Sequence, residues 1–251
     1  MQNDQITELL TRKDTQKKKS RTPARLDLLQ SATGLLLAIF IVFHMLFESS
    51  ILVSKDFMHS VTKAFELSFI FEGGSGIPVF ILAVIVSLLF IFHAFLAMRK
   101  FPISYKEAKR LKTHSSLLNH SDTKLWIVQA TTGFALFFLG SVHLYTVLTN
   151  PSNIGPYASS DRVYSDWMWP LYMALLFIVV IHASIGLYRL AMKWGWFDQG
   201  DGKKSRAKAK KAMITLTFIL LTLGVMSILT YMKIGYEHQA HYGEKYQTEQ
   251  K

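Results

Sequence analysis

The 251-residue chain is 50% hydrophobic and only 18% charged, with a formal net charge of +11 and no cysteine. A soluble domain carries about 25% charged residues, so this balance points to a membrane protein. The lack of cysteine excludes disulfides, cysteine-held iron–sulfur clusters, thiolate zinc sites and covalent CxxCH haem attachment.

In chain order, the first 30 residues are polar and basic, without the small-residue cleavage site of a secretory signal. Five apolar runs follow, at about residues 32–53, 77–98, 126–148, 169–192 and 212–232. Each reaches the ~20 residues needed to cross a hydrocarbon core of ~30 Å. Lipid leaves no partner for open backbone groups, and no run shows the alternation of a membrane barrel, so the spans are read as helices. The expected fold is all-α: an integral membrane protein with five transmembrane helices. It is read as one domain over residues 1–251, with a cytoplasmic N-terminal segment (1–30) and an outer C-terminal tail (233–251).

Of the 28 Lys and Arg residues, 22 fall on one side of these spans and 6 on the other. The positive-inside rule places the N-terminus in the cytoplasm. Basic clusters on that face comprise Lys17, Lys18, Lys19 and Arg21; Lys106, Lys109, Arg110 and Lys112; and Lys203, Lys204, Arg206, Lys208, Lys210 and Lys211. They suit anionic lipid headgroups and a docked soluble partner. Their position at membrane edges argues against nucleic acid.

Nine histidines are present. His59, His114, His120, His238 and His241 lie outside the spans and are expected to be solvated. His44, His93, His143 and His182 lie one in each of the first four spans, where an ionisable group is costly and usually functional. A helix–helix hydrogen bond would explain one such residue, but it explains four poorly. At 1.5 Å per residue, His93 and His182 lie ~8 and ~15 Å from the cytoplasmic edge, and His44 and His143 ~18 and ~26 Å. The depths pair His93 with His182 and His44 with His143. Each pair suits one b-type haem iron, making the first four spans a haem-binding bundle.

An internal repeat supports this pairing. Gln30-Ser-Ala-Thr-Gly34 stands ten residues before His44, and Gln129-Ala-Thr-Thr-Gly133 ten before His143; His93-Ala94 likewise matches His182-Ala183. Spans one and two thus resemble spans three and four in a parallel repeat, bringing span one near three and span two near four. Gly34, Gly133, Gly140 and Gly186 offer room for a flat macrocycle, or for ordinary close helix packing. The fifth span has no histidine and is expected to pack outside the four-helix core.

Two haems at different depths make a wire, and a quinone is the natural two-electron partner inside a membrane. Residues alone leave two other readings open. One is a dihaem anchor for another quinone-linked enzyme, such as a hydrogenase or formate dehydrogenase; the other is a haem-free channel or transporter.

The stretches KKSRTPARLDLLQSATG, KAFELSFIFEGG, HAFLAMRKFPISY, HSDTKLWIVQATTGFALFFLGSVHLY, SDWMWPLY and HASIGLYRLAMKWGWF resemble the dihaem cytochrome b subunits of bacterial menaquinol:fumarate reductases, in the succinate:quinone oxidoreductase superfamily. That resemblance implies an electron-transfer subunit of a quinol:fumarate oxidoreductase in the bacterial inner membrane. It implies two haem b groups, menaquinol as electron donor, and iron–sulfur and flavoprotein subunits on the cytoplasmic face, assembled as a dimer of heterotrimers. The succinate-oxidising direction is the alternative within the same superfamily.

The resemblance also implies an inner haem on His93 and His182 and an outer haem on His44 and His143. It places Gln30, Ser31, Trp126 and Lys193 around the inner propionates, and all four stand at cytoplasmic helix ends where a polar edge could meet carboxylates. Arg162, the one Lys or Arg between spans three and four, becomes a partner of the outer haem, and Glu66 the acidic residue of the menaquinol site. Glu48, one turn after His44, is not carried over. One departure stands out: the family has a proton-carrying glutamate two residues before its fourth haem histidine, and this chain has Val180.

Overall fold

The computed structural model describes residues 20–102, 104–117, 121–197 and 200–248. Lys17, Lys18, Lys19 and His120 lie outside the described residues, as do the side chains of Lys112 and His114. Among the described residues, all regular structure is helical: α1 (Thr22–Ser49), α2 (Lys55–Phe65), α3 (Gly76–Met98), α4 (Tyr105–Leu117), α5 (Ser121–Thr149), α6 (Pro156–Tyr164), α7 (Trp169–Trp194) and α8 (Gly202–His238). Five of them, α1, α3, α5, α7 and α8, are long and apolar enough to cross a membrane, and they coincide with the five apolar runs.

Local chemistry sets the helix ends. The Ser54 hydroxyl accepts from the Phe57 amide at 3.0 Å, the Ser75 hydroxyl from Ile77 at 3.2 Å, and the Asp201 carboxylate from Lys203 and Lys204, each satisfying amides that have no partner within the helix. Pro23, Pro156 and Pro170 open α1, α6 and α7, where a missing N–H is harmless. Gly195 closes α7 in a left-handed conformation (φ 66°). Both α1 and α8 begin about ten residues before their apolar runs. Lys, Arg and Ala are good helix formers, so hydropathy marks where lipid begins rather than where the helix does.

The four histidine-bearing helices form a ring in which α1 packs on α3, α3 on α5, α5 on α7 and α7 on α1. Consequently α1 and α5 face each other across one diagonal and α3 and α7 across the other. The repeat's prediction of proximity is met across the ring's interior, not by neighbouring backbones. The fifth span, α8, packs outside the ring against α1, α6 and α7, but it is not peripheral. Its Leu220, Ile228 and Tyr231 join Met45, Met58, Leu176 and Val180 in the most buried apolar cluster. Small residues allow this approach: Gly224 faces Leu176 and Met45, Gly235 faces the Ser160 carbonyl, and the Ser227 and Ser49 hydroxyls meet at 3.4 Å.

The C-terminal tail folds back on the short helices α2 and α6. The buried Asp161 carboxylate holds His238 Nδ1 at 3.0 Å and the Gly243 amide at 2.9 Å. Tyr157 stacks on His238 at 3.9 Å. The Tyr242 and Tyr246 hydroxyls donate to Asp166 and Asp56 at 2.9 and 2.6 Å. His238 is therefore buried and His59 half-buried, contrary to the expectation that both are solvated: α6 covers His238 through Tyr157 and Asp161, and the tail covers His59 through Tyr246.

A Cβ on Gly235 would stand 2.5 Å from the Ser160 carbonyl oxygen, which is backbone and cannot step aside; on Gly224 it would meet only the flexible ends of Leu176 and Met45. Gly235→Ala is expected to destabilise the protein by about 1–3 kcal/mol through overpacking, and Gly224→Ala by less. Thermal unfolding of the two variants in detergent checks that order.

Candidate functional site

His44 of α1 and His143 of α5 meet across their diagonal with ring centroids 6.0 Å apart and planes tilted by 42°. With metal–nitrogen bonds of about 2 Å, two imidazoles on opposite faces of one iron have centroids about 6 Å apart. Phe40 stacks on His44 at 5.6 Å, and Tyr172 meets His143 edge-on at 5.4 Å. Nearer the end that carries the basic clusters, His93 of α3 and His182 of α7 lie across the other diagonal, within electrostatic reach of each other.

The repeated Gln-x-x-Thr-Gly motif has a structural meaning: each copy cradles the histidine of the next span. On α1, His93 Nδ1 lies 3.1 Å from Thr33 Oγ1, whose own proton goes to the Leu29 or Gln30 carbonyl at 2.9 and 3.2 Å. On α5, His182 Nδ1 lies 3.3 Å from Thr132 Oγ1 and 2.9 Å from the Gln129 carbonyl. A carbonyl only accepts, and the Thr33 hydroxyl has already given its proton to a carbonyl, so in both rings Nδ1 donates and Nε2 keeps its lone pair for a metal. The glycines complete the cradles. A Cβ on Gly34 would lie 2.9 Å from His93 Cε1, and one on Gly133 2.8 Å from His182 Cε1. Gly140 and Gly186 face Phe90 and the Gln129 side chain instead, so in them the structure favours helix packing.

At the basic end, Gln30, Ser31 and Lys193 share one corner. Lys193 Nζ donates to Ser31 Oγ at 3.0 Å and pairs with Asp27, which also holds Lys100 at 2.5 Å. Asp27 and Lys100 were not singled out from sequence, because the three charges come from ends of different helices. Gln30 Oε1 is buried without a hydrogen-bond partner, whereas its repeat mate Gln129 accepts from Arg189 at 2.5 Å. Trp126 is half-buried one turn before Gln129; among the described residues no hydrogen bond joins it to the Lys193 corner.

At the far end, the Arg162 guanidinium donates to the Asn153 carbonyl and lies within electrostatic reach of His143 and Tyr172. The Tyr172 hydroxyl and His143 Nδ1 are both buried and unpartnered. Glu48 accepts from the Tyr231 hydroxyl at 2.9 Å, tying the outer turn of α1 to α8. Val180 is fully buried, at 0% exposure, so the position two residues before His182 holds no proton carrier.

Glu66 caps the C-terminus of α2 and is only 7% exposed. Lys63 Nζ lies 2.7 Å from its Oε2 and donates to the Gly73 carbonyl at 2.8 Å. Gly74, at φ +88°, lets the chain cross over the carboxylate, where a Cβ would sit 2.5 Å from Oε2. Phe65 packs edge-on against Phe47 at 4.8 Å, pinning this loop to α1 three residues beyond His44.

Residues 105–223 match the family described as succinate dehydrogenase/fumarate reductase transmembrane subunit. The chain is 54% identical over 237 residues to the fumarate reductase cytochrome b subunit of Wolinella succinogenes, covering 94% of this chain and 93% of that one. The chain belongs to this family of transmembrane subunits. Two fumarate reductase cytochrome b subunits from Helicobacter pylori strains are 46% and 47% identical over 239 residues, covering 95% of this chain and 92% of theirs.

A cytochrome b member of the succinate dehydrogenase/fumarate reductase transmembrane family needs haem, and the residues fit one at each histidine pair. Among the described residues, no cluster of three or more His, Asp or Glu side chains could hold a bare metal ion. Two facing imidazoles suit an iron whose other ligands a macrocycle supplies. The lone Gln30 Oε1 and the cationic Lys193 offer polar contacts for propionates at one end. Arg162 and the unpartnered Tyr172 hydroxyl offer them at the other.

In the cradles, alanine at Gly34 or Gly133 would press on His93 or His182. Either substitution is expected to lower the haem bound per chain. Haem content per chain and the reduced-minus-oxidised spectrum measure this directly.

Proposed function

We propose that this chain is the dihaem cytochrome b anchor of a menaquinol:fumarate reductase in a bacterial inner membrane, with its basic end in the cytoplasm. The observation that carries the reading is the pair of diagonal histidine couples at two depths of one bundle. The chain's likeness to relatives named as fumarate reductase cytochrome b subunits supports it.

His93 and His182 would hold the inner haem and His44 and His143 the outer. Gln30, Ser31, Trp126 and Lys193 would face the inner propionates, and Arg162 the outer group. When bound, two haems b supply one-electron carriers between the two faces of the bilayer. Menaquinol would be oxidised beside the far-end loop, where the buried Glu66 carboxylate takes its protons. On the cytoplasmic side, the exposed Lys106, Lys109, Arg110, Lys203 and Lys204 give an iron–sulfur subunit a complementary docking surface. A flavoprotein subunit would then reduce fumarate to succinate, in a dimer of heterotrimers.

Glu66→Gln keeps the size of the side chain and removes the proton acceptor. Menaquinol-linked fumarate reduction is expected to fall by about 100-fold or more, while both haems stay bound and turnover from a soluble artificial reductant persists. Menaquinol oxidation at the normal rate in that variant would remove Glu66 from the reaction. Replacing His44 or His143 with alanine is expected to delete the outer haem's absorption and menaquinol oxidation together.

A further inference from the structure

The short helix α2 carries a polar stripe. Asp56, His59, Lys63 and Glu66 recur at intervals of three and four residues, which places them on one helical face; the face that carries Met58 and Thr62 is buried. Exposure along the stripe is graded. Glu66 is buried, Lys63 and His59 are half-buried, and Asp56 is exposed. Lys63 binds Glu66 at 2.7 Å. His59 lies within electrostatic reach of Lys63, Glu66 and Asp56. The tail supplies the remaining wall: the Tyr246 ring meets His59 edge-on at 5.5 Å, and its hydroxyl donates to Asp56 at 2.6 Å. Behind Tyr246 stand the Tyr157 ring of α6 at 5.0 Å and the Lys55 ammonium at 5.9 Å.

Glu66 lies beneath Gly73 and Gly74, away from water, so a proton taken there needs a route out. We propose that His59 relays protons from Glu66 to the water at Asp56, which makes α2 the proton exit of the quinol site. This rests on the reading of Glu66 as the menaquinol proton acceptor. Each menaquinol surrenders two electrons to the chain's carriers and two protons to the relay. A quinol O–H bond breaks as a carboxyl O–H forms on Glu66. The proton on Glu66 then passes to the neutral His59 imidazole as the carboxylate re-forms; the Lys63 ammonium between them keeps its own protons and stabilises that carboxylate. His59 releases its proton to solvent beside Asp56 and is neutral again for the second. Burial, with help from the Lys63 ammonium, holds His59 below the ordinary imidazole range, so at neutral pH it starts each cycle able to accept.

The test uses the assembled complex carrying His59→Gln, His59→Asn or Asp56→Asn, with Glu66→Gln alongside. Menaquinol-linked turnover in the His59 variants is expected to drop by about tenfold and to recover with imidazole added to the medium. Wild-type turnover should decline as pH falls through the histidine's range, because a protonated His59 cannot accept; the His59 variants should lack that acid limb. Asp56→Asn, at an exposed position, should slow turnover less. Haem spectra and turnover from an artificial reductant should be unchanged throughout. If Glu66→Gln is inactive with menaquinol while the His59 variants keep the wild-type rate and pH profile, the relay is overturned and the Glu66 reading stands. If Glu66→Gln itself oxidises menaquinol normally, both fall together.

Discussion

An imidazole surrounded by hydrocarbon must place its N–H on an acceptor, and at His93 and His182 the structure meets that demand from a neighbouring helix. His182 Nδ1 meets the Gln129 carbonyl, and a threonine hydroxyl of the repeated motif, Thr33 or Thr132, lies against Nδ1 of each ring. This one hydrogen bond fixes several things at once. It sets the tautomer, aims Nε2 inward, and requires a residue without a side chain where the ring passes, which is why Gly34 and Gly133 sit next to the threonines. The ring order of the helices follows, because each cradle must lie beside the helix whose histidine it holds.

The two ends of the bundle are built differently. At the basic end, charges from three helices converge on Asp27 and the polar atoms are largely paired. At the far end, the unpartnered atoms of His143 and Tyr172 lie close to the cationic Arg162, and the fifth span takes part through Tyr231 and Glu48. A buried tyrosine hydroxyl in an apolar core needs a partner. Tyr231 finds Glu48 and Met58 Sδ, at 2.9 and 3.1 Å, and so fastens α8 to α1 and α2. The span without a histidine thereby braces the helix that carries His44.

Much of this was legible in the residues. Hydropathy marked five spans, histidine depth divided four ligand candidates into the couples that meet in space, and the Gln-x-x-Thr-Gly repeat announced the cradles. What stayed hidden has physical reasons. Helices α2, α4 and α6 are short and lie outside the apolar runs, so no run marks them. Asp27 gains its two lysines from positions 73 and 166 residues away, a distance no local pattern spans. Glu66 is buried by a loop whose crossing depends on a positive φ at Gly74. The core role of α8 rests on where Gly224, Ser227 and Gly235 point, whereas its sequence shows only an apolar run without chemistry.

Val180 has an energetic consequence. On the proposed route, electrons drawn from the outer face toward the cytoplasm move against an inside-negative voltage, at about 2.3 kcal/mol per charge for each 100 mV. A carboxyl group at this depth could let a proton travel with each electron and cancel the displaced charge. An isopropyl group buried in the apolar cluster that includes Met45 and Leu176 cannot. If electrons take that route, the electric field of an energised membrane would oppose their inward passage and favour the reverse flow.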